Sequence, residues 1–173
     1  LEHYFDDGGF WADLSRRVAI QSCSQDEPFR PELYRYLTDE MTPYLAEMGF
    51  ESEIFENPKP GGQPILVARR HEGDDLPTLM TYGHGDVVRG YDDQWRDGIG
   101  PWEMKKEGER WYGRGTADNK GQHTINLAAM KACMEARGGT LGYNVVALIE
   151  TGEETGSPGL REFCRDHKDL FKA

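Results

Sequence analysis

Between residues 83 and 121 the chain carries nine glycines, and this stretch separates a short apolar run from a patterned helix. Segments longer than about 15 residues without regular structure are uncommon in compact domains unless they serve a function. The stretch therefore limits the fold to one that can carry a long, glycine-punctuated connection at the end of a strand. Around it the hydrophobic period alternates. Phe10, Trp11, Leu14 and Val18 recur at helical spacing, and so do Leu33, Tyr34, Leu37, Met41, Leu45 and Met48, up to a capping Gly49. Pro43 lies inside the second run and is expected to bend or split that helix.

From residue 51 the period shortens to that of strands. Residues 51–56 and 64–70 read as strands parted by Asn57-Pro58-Lys59-Pro60-Gly61-Gly62, and residues 77–82 as a short buried strand. Residues 110–112 read as a further short strand. Residues 119–137 read as a helix whose apolar positions are Ile125, Leu127, Ala128, Met130, Ala132 and Cys133. Residues 143–149, Tyr-Asn-Val-Val-Ala-Leu-Ile, form the apolar run of a central strand. Ser157-Pro158 opens a polar helix running to about residue 169. Strand, loop and helix in alternation predict an α/β layer fold.

Composition narrows the functional classes. The formal net charge is −11 over 173 residues, which argues against nucleic acid or an anionic membrane as partner, since both require a basic face. No apolar run approaches the roughly 18 residues of a spanning helix. Leu, Ile, Val and Phe make up less than a fifth of the chain, a core-poor composition that suits a piece of a larger folded unit. The three cysteines, Cys23, Cys133 and Cys164, are widely spaced and form no C-x-x-C, as expected for reduced thiols in a cytoplasmic protein.

Three polar clusters fall at the ends of expected elements: His84-Gly85-Asp86, Gly113-Arg114-Gly115-Thr116-Ala117-Asp118, and Glu153-Glu154-Thr155-Gly156-Ser157. In open α/β sheets ligands bind beyond the carboxyl ends of the strands. Parallel neighbouring strands would bring the first and third clusters to one rim. One imidazole and several carboxylates form a donor set typical of zinc, cobalt or manganese hydrolases. On extended backbone Asp86 points the same way as His84 and can orient its ring. Asp118 has two oxygens with which to bridge two ions. Glu153 and Glu154 would point to opposite sides of an extended segment, so one can ligate a metal while the other handles protons. The chain has no H-E-x-x-H, no G-x-S-x-G, no Walker loop and no complete dinucleotide fingerprint.

Tyr82-Gly83-His84-Gly85-Asp86-Val87-Val88, Trp95, Pro101-Trp102, Tyr112-Gly113-Arg114-Gly115-Thr116-Ala117-Asp118-Asn119-Lys120-Gly121 and Glu153-Glu154-Thr155-Gly156-Ser157 occur in one order. Over residues 30–165 this resembles the dinuclear zinc metallopeptidases that include acetylornithine deacetylase, succinyl-diaminopimelate desuccinylase, aminoacylase and carboxypeptidase G. The resemblance implies a mixed, largely parallel sheet flanked by helices, of zinc-exopeptidase type and incomplete in this chain. It implies two divalent ions, zinc first and cobalt or manganese as substitutes, with His84 and Glu154 each ligating one and Asp118 bridging both, often beside a cis peptide. Glu153 would be the general base that takes a proton from the attacking water, and Asp86 would support His84. The substrate would be a small acylated amino acid or short peptide, cleaved at its amide bond.

The chain departs from the family pattern at Arg89, Trp102 and Asn119, where Pro, Phe and Met are common. Relatives carry a further acidic ligand, a late His ligand and a dimerising lid domain. Residues 1–173 are therefore expected to be the N-terminal portion of the catalytic domain, inactive alone, within a protein that pairs as a homodimer through its lid. His3, His71, His123 and His167 match no motif position and are expected to be structural or surface residues, and the four tryptophans packing residues. Two other readings remain: a catalytically silent relative that binds metal or a partner, and a mononuclear hydrolase of another class.

Overall fold

The computed structural model describes residues 2–172. The helices are α1 (Glu2–Asp6), α2 (Gly9–Ala19), α3 (Arg30–Arg35), α4 (Thr42–Glu47), α5 (Lys120–Ala136) and α6 (Leu160–Asp166). The strands are β1 (Glu51–Phe55), β2 (Ile65–Arg70), β3 (Thr78–His84), β4 (Lys105–Glu107), β5 (Arg110–Tyr112) and β6 (Asn144–Glu150). Four strands form one sheet in the order β1-β2-β6-β3, and β4 with β5 forms a separate hairpin within the glycine-rich stretch. The fold is mixed α/β with helices on both faces, as the sequence implies.

The sheet is less parallel than expected. β1 pairs antiparallel with β2, and β2 antiparallel with β6; only β3 and β6 run parallel. The cause is local. The turn between β1 and β2 is too short for a crossover, so the two strands form a hairpin. Parallel pairing requires an intervening helix, and α5 provides it between β3 and β6.

The core lies in two layers. Tyr36, Leu37, Met41, Leu45, Leu127 and Met130 pack from the helices against Leu66, Ala68, Val145, Ala147 and Ile149 on one face. On the other face Phe163 of α6 packs on Ile65, Val67, Val146 and Leu148. Every residue of β6 is buried, which accounts for its unbroken apolar run. β1 and β3 are the edge strands, and Leu79, Met80 and Tyr82 on β3 are about half exposed.

The expected bend at Pro43 is resolved in a specific way. Pro43 stands in the first turn of α4, and the preceding residues Tyr36–Met41 form a π-helical turn. Proline has no N–H to return to a carbonyl four residues back, and the Thr42 N–H instead bonds the carbonyl of Leu37, five residues back. In α5 the buried stripe differs from a simple apolar face. Ile125 is 57% exposed, while Lys120, His123 and Thr124 are buried. The first turns of α5 face a polar centre.

Candidate metal centre

The register that aligns β3 with β6 runs from Thr78 opposite Asn144 to His84 opposite Glu150, so both strands end on the same rim. His84 is the last residue of β3. Two residues beyond β6 the chain turns through a 3-10 segment, Glu153–Thr155. Asp118 and Asn119, joined by a cis peptide, lead directly into α5, which packs against β3. The three polar clusters therefore meet at one place, although 26 and 34 residues separate them in sequence.

His84 is 4% exposed. Its Nε2 lies 3.0 Å from Asp118 Oδ1 and 3.8 Å from Glu153 Oε2. One ligand atom from each of His84, Glu153 and Glu154 lies within 4.8 Å of the others. The Nδ1 side of the ring faces Asp86, 3.1 Å from its carbonyl oxygen and 3.4 Å from its carboxylate. Two acceptors at Nδ1 hold the proton there and leave Nε2 as the outward nitrogen, with its lone pair available to a cation. Burial alone would lower the His84 pKa, but the hydrogen bond and charge of Asp86, with Glu153 adding, raise it to about 9. Burial and then the charge of Asp118 push the Glu154 carboxyl up.

Asp86 is completely buried and is the hub of the site. Its Oδ2 accepts from the Ser24 hydroxyl at 2.5 Å and from the Glu154 N–H at 3.1 Å, and its Oδ1 accepts from the Glu153 N–H at 3.2 Å. One carboxylate thus orients the imidazole and pins the backbone of both glutamates. This corrects the expectation for Glu153 and Glu154. They sit on a 3-10 turn rather than on extended backbone, so their carboxylates converge instead of pointing apart.

Sequence reasoning missed Ser24, Asn119 and Glu150. Glu150 is 2% exposed and accepts from the Tyr82 hydroxyl at 2.6 Å and the Ser157 hydroxyl at 2.8 Å, which ties the far end of the 153–157 turn to the sheet. Burial pushes its carboxyl up against those hydrogen bonds. A charge ending an apolar strand is the one signal that could have marked it. Of the histidines outside the motifs, His71 pairs with Asp74 in solvent, His167 stacks on Phe163, and His123 is buried behind the centre.

The donors suit a cation. Asp86, Asp118, Glu153 and Glu154 surround one imidazole, and among the described residues no lysine or arginine pairs with any of the four. The nearest buried ammonium, that of Lys120, instead donates to the carbonyls of Arg17 and Ile20 at 2.9 and 2.7 Å. The side chains of Asp118 and Glu153 are 72% and 44% exposed while His84 is buried, so the pocket opens outward on its acidic side. Imidazole and carboxylate are ligands of zinc and of other first-row divalent ions.

The mixed α/β sheet thus gathers one imidazole and several carboxylates at one rim, beside the carboxyl ends of two parallel strands. Residues 80–173 match Peptidase family M20/M25/M40. The chain is 32% identical to the Cys-Gly metallodipeptidase DUG1 of Candida albicans, over 92% of its own length and 35% of the relative's. It is 32% identical to the Beta-Ala-His dipeptidase of Mus musculus, over 99% of its length and 37% of the relative's. Among solved structures, human carnosine dipeptidase 1 superposes with a TM-score of 0.85 at 28% identity, covering 97% of this chain and 37% of that one. An M20 family metallo-carboxypeptidase from Sulfolobus solfataricus gives 0.79 at 25%, covering 95% and 35%. The chain belongs to peptidase family M20/M25/M40, and it spans about a third of the length of the curated relatives it matches.

Proposed function

We propose that the whole protein is a metal-dependent peptidase that hydrolyses the amide bond of dipeptides or similarly small substrates. The observation that carries this reading is the convergence of His84, Asp118, Glu153 and Glu154 around one imidazole nitrogen. His84, Asp118 and Glu154 would hold the cations, two zinc ions with Asp118 between them, and cobalt or manganese would substitute. A divalent ion bound there supplies Lewis acidity toward a carbonyl oxygen and acidifies water toward a pKa of about 7. Glu153 accepts a proton from water as it attacks the scissile carbonyl carbon, and then delivers that proton to the leaving amine nitrogen. Its partly exposed carboxylate, beside the imidazole and at the open side of the pocket, suits that part. Asp86 acts through His84 and through the backbone of the glutamates.

A dipeptide is favoured over an acylated amino acid. The Cys-Gly and Beta-Ala-His dipeptidase relatives align over 92% and 99% of the chain at 32% identity, and a cysteinylglycine-S-conjugate dipeptidase over 77%, against 64% for a succinyl-diaminopimelate desuccinylase and 84%, at 28% identity, for an acetylornithine deacetylase. The silent-relative reading is weaker because all five motif residues are intact and lie together. We read the chain as the N-terminal portion of a catalytic domain, inactive alone, with the C-terminal part of that domain and a lid through which the protein pairs lying outside these residues. The open edge of β3 and its exposed Leu79, Met80 and Tyr82 support a sheet that continues. A cytoplasmic location suits three free thiols, and among the described residues no helix is long and apolar enough to cross a membrane.

Chelation tests the reading. The whole protein is expected to cleave Cys-Gly or β-Ala-His, to lose that activity in a strong chelator, and to regain it with zinc, cobalt or manganese. Metal affinity should fall as pH drops below about 9, because the cation must displace the proton that Asp86 and Glu153 favour on His84. Hydrolysis indifferent to chelation would overturn the proposal.

A further inference from the structure

His84 stands between two glycines, and the side chains behind the strand explain both. A Cβ on Gly83 would lie 3.1 Å from His123 Cβ and 3.2 Å from Asn119 Oδ1; a Cβ on Gly85 would lie 2.4 Å from the Tyr36 ring. The strand end that carries the imidazole is clasped by three side chains, two from the start of α5 and one from the π-helical turn; the Tyr36 ring leaves no room for a Cβ at Gly85, and a Cβ at Gly83 would press on its neighbours.

The hydrogen bonds among these groups have one consistent direction. The backbone N–H of His84 can only donate, so the Asn119 oxygen 3.3 Å away is its acceptor. His123 Nδ1 lies 3.3 Å from the same oxygen and therefore carries a hydrogen. The neutral ring then presents Nε2 as an acceptor, and the Tyr36 hydroxyl donates to it. Burial, then the charges of Arg17 and Lys120, hold the His123 pKa well below its ordinary value, which keeps the ring neutral. The Asn119 amide is fixed at its other end, where Nδ2 donates to Gln122 Oε1 at 2.6 Å. Tyr36 is fully buried and His123 is 4% exposed. Both nitrogens of His123 are taken up in this chain, so it is not a further ligand.

We propose that Tyr36, His123 and Asn119 form a buried strut that fixes the backbone of His84, and that all three are positioning residues for the metal-binding imidazole. The inference rests on the reading of His84 as a ligand. Asp86 holds the ring at Nδ1, and the strut holds the main chain beneath it. A ligand held at both points meets the cation without reorganising, which is what partners behind a ligand contribute to affinity.

The test uses the whole protein and cobalt(II), read by chelator competition and by the visible absorption of the bound ion. His123→Leu is expected to weaken cobalt affinity about 10- to 100-fold and to shift the absorption band, because the ligand geometry loosens. His123→Asn keeps a donor near the Nδ1 position and should recover most of the affinity. Tyr36→Phe leaves the ring against Gly85 and removes only the hydroxyl, so it carries the test even where His123→Leu fails to fold; its expected loss is at the lower, about tenfold, end. A purely structural role would lower the unfolding temperature and leave cobalt affinity and spectrum as in the parent, and that result would overturn the strut. His84→Ala is the control. If it abolishes binding while the strut variants bind as the parent does, the strut alone is wrong. If His84→Ala binds cobalt unchanged, the metal-centre reading fails and the strut with it.

Discussion

Replacing Glu153 by glutamine in the whole protein is expected to lower kcat by about 10²- to 10⁴-fold, the range a positioned general base contributes. Glutamine keeps the shape of the side chain and loses the ability to take a proton from water. The side chain is 44% exposed and its oxygen lies 3.8 Å from His84 Nε2, so the substitution leaves no buried orphan and should not disturb the fold. Its backbone N–H still reaches Asp86 at 3.2 Å, which keeps the turn in place. Metal content should stay close to that of the parent, with KM little changed. Glu154→Gln should behave in the opposite sense and lose metal first. Both are read by steady-state kinetics with metal analysis of each variant. Near-parental turnover in Glu153→Gln would remove that residue from the base role and transfer the role to a neighbouring carboxylate.

Asp86→Ala is expected to be the most damaging single change to stability in the centre. It deprives the Ser24 hydroxyl, the Glu153 and Glu154 amides and the His84 ring of one shared acceptor inside the protein. Each buried donor left without a partner costs about 1–3 kcal/mol. Water entering the space left behind offsets part of that, for a total of about 3–5 kcal/mol, similar to the cost of breaking a buried ion pair from one side. Metal affinity should fall about 10- to 100-fold in the same variant, since both the ring orientation and the 153–155 turn are released. Asp86→Asn has a single oxygen acceptor where three donors and an imidazole converge, so it should rescue only part of either loss. Urea unfolding and chelator competition measure the two effects. An alanine variant with parental unfolding midpoint and parental affinity would mean that Asp86 is not the hub.

The strands and the main helix were legible in the sequence because their periods are clean: Val145 to Ile149 as an unbroken apolar run, and residues 51–56 and 64–70 as short strands around a proline- and glycine-rich turn. His84, Asp86, Asp118, Glu153 and Glu154 were legible as candidates because glycines wrap them at the ends of elements, and they do lie together. What was not legible depends on tertiary placement. The short β1–β2 connection already dictates a hairpin, but the antiparallel pairing of β2 with β6 depended on which neighbour β2 would find, and local pattern carries no such information. Ser24 meets Asp86 from 62 residues away, and no spacing marks it. Ile125 follows the helical period yet is exposed, because the polar residues Lys120, His123 and Thr124 of the same helix face the centre. Pro43 signalled a break, but the π-helical answer to it depends on the Thr42 N–H finding the Leu37 carbonyl. Glu153 and Glu154 were expected to diverge because an extended segment was assumed; the amide bonds to Asp86 curl that segment into a 3-10 turn.

His84, Asp118 and Glu154 are proposed to hold the divalent cations. Anomalous diffraction at the zinc edge, from crystals of the whole protein grown with zinc, tests it most directly. Two peaks are expected within about 2.0–2.2 Å of ligand atoms, one against His84 Nε2, one against Glu154, with the Asp118 carboxylate between them. A single peak would reduce the centre to one ion. No peak at His84, or zinc bound only elsewhere on the molecule, would rule out this metal centre.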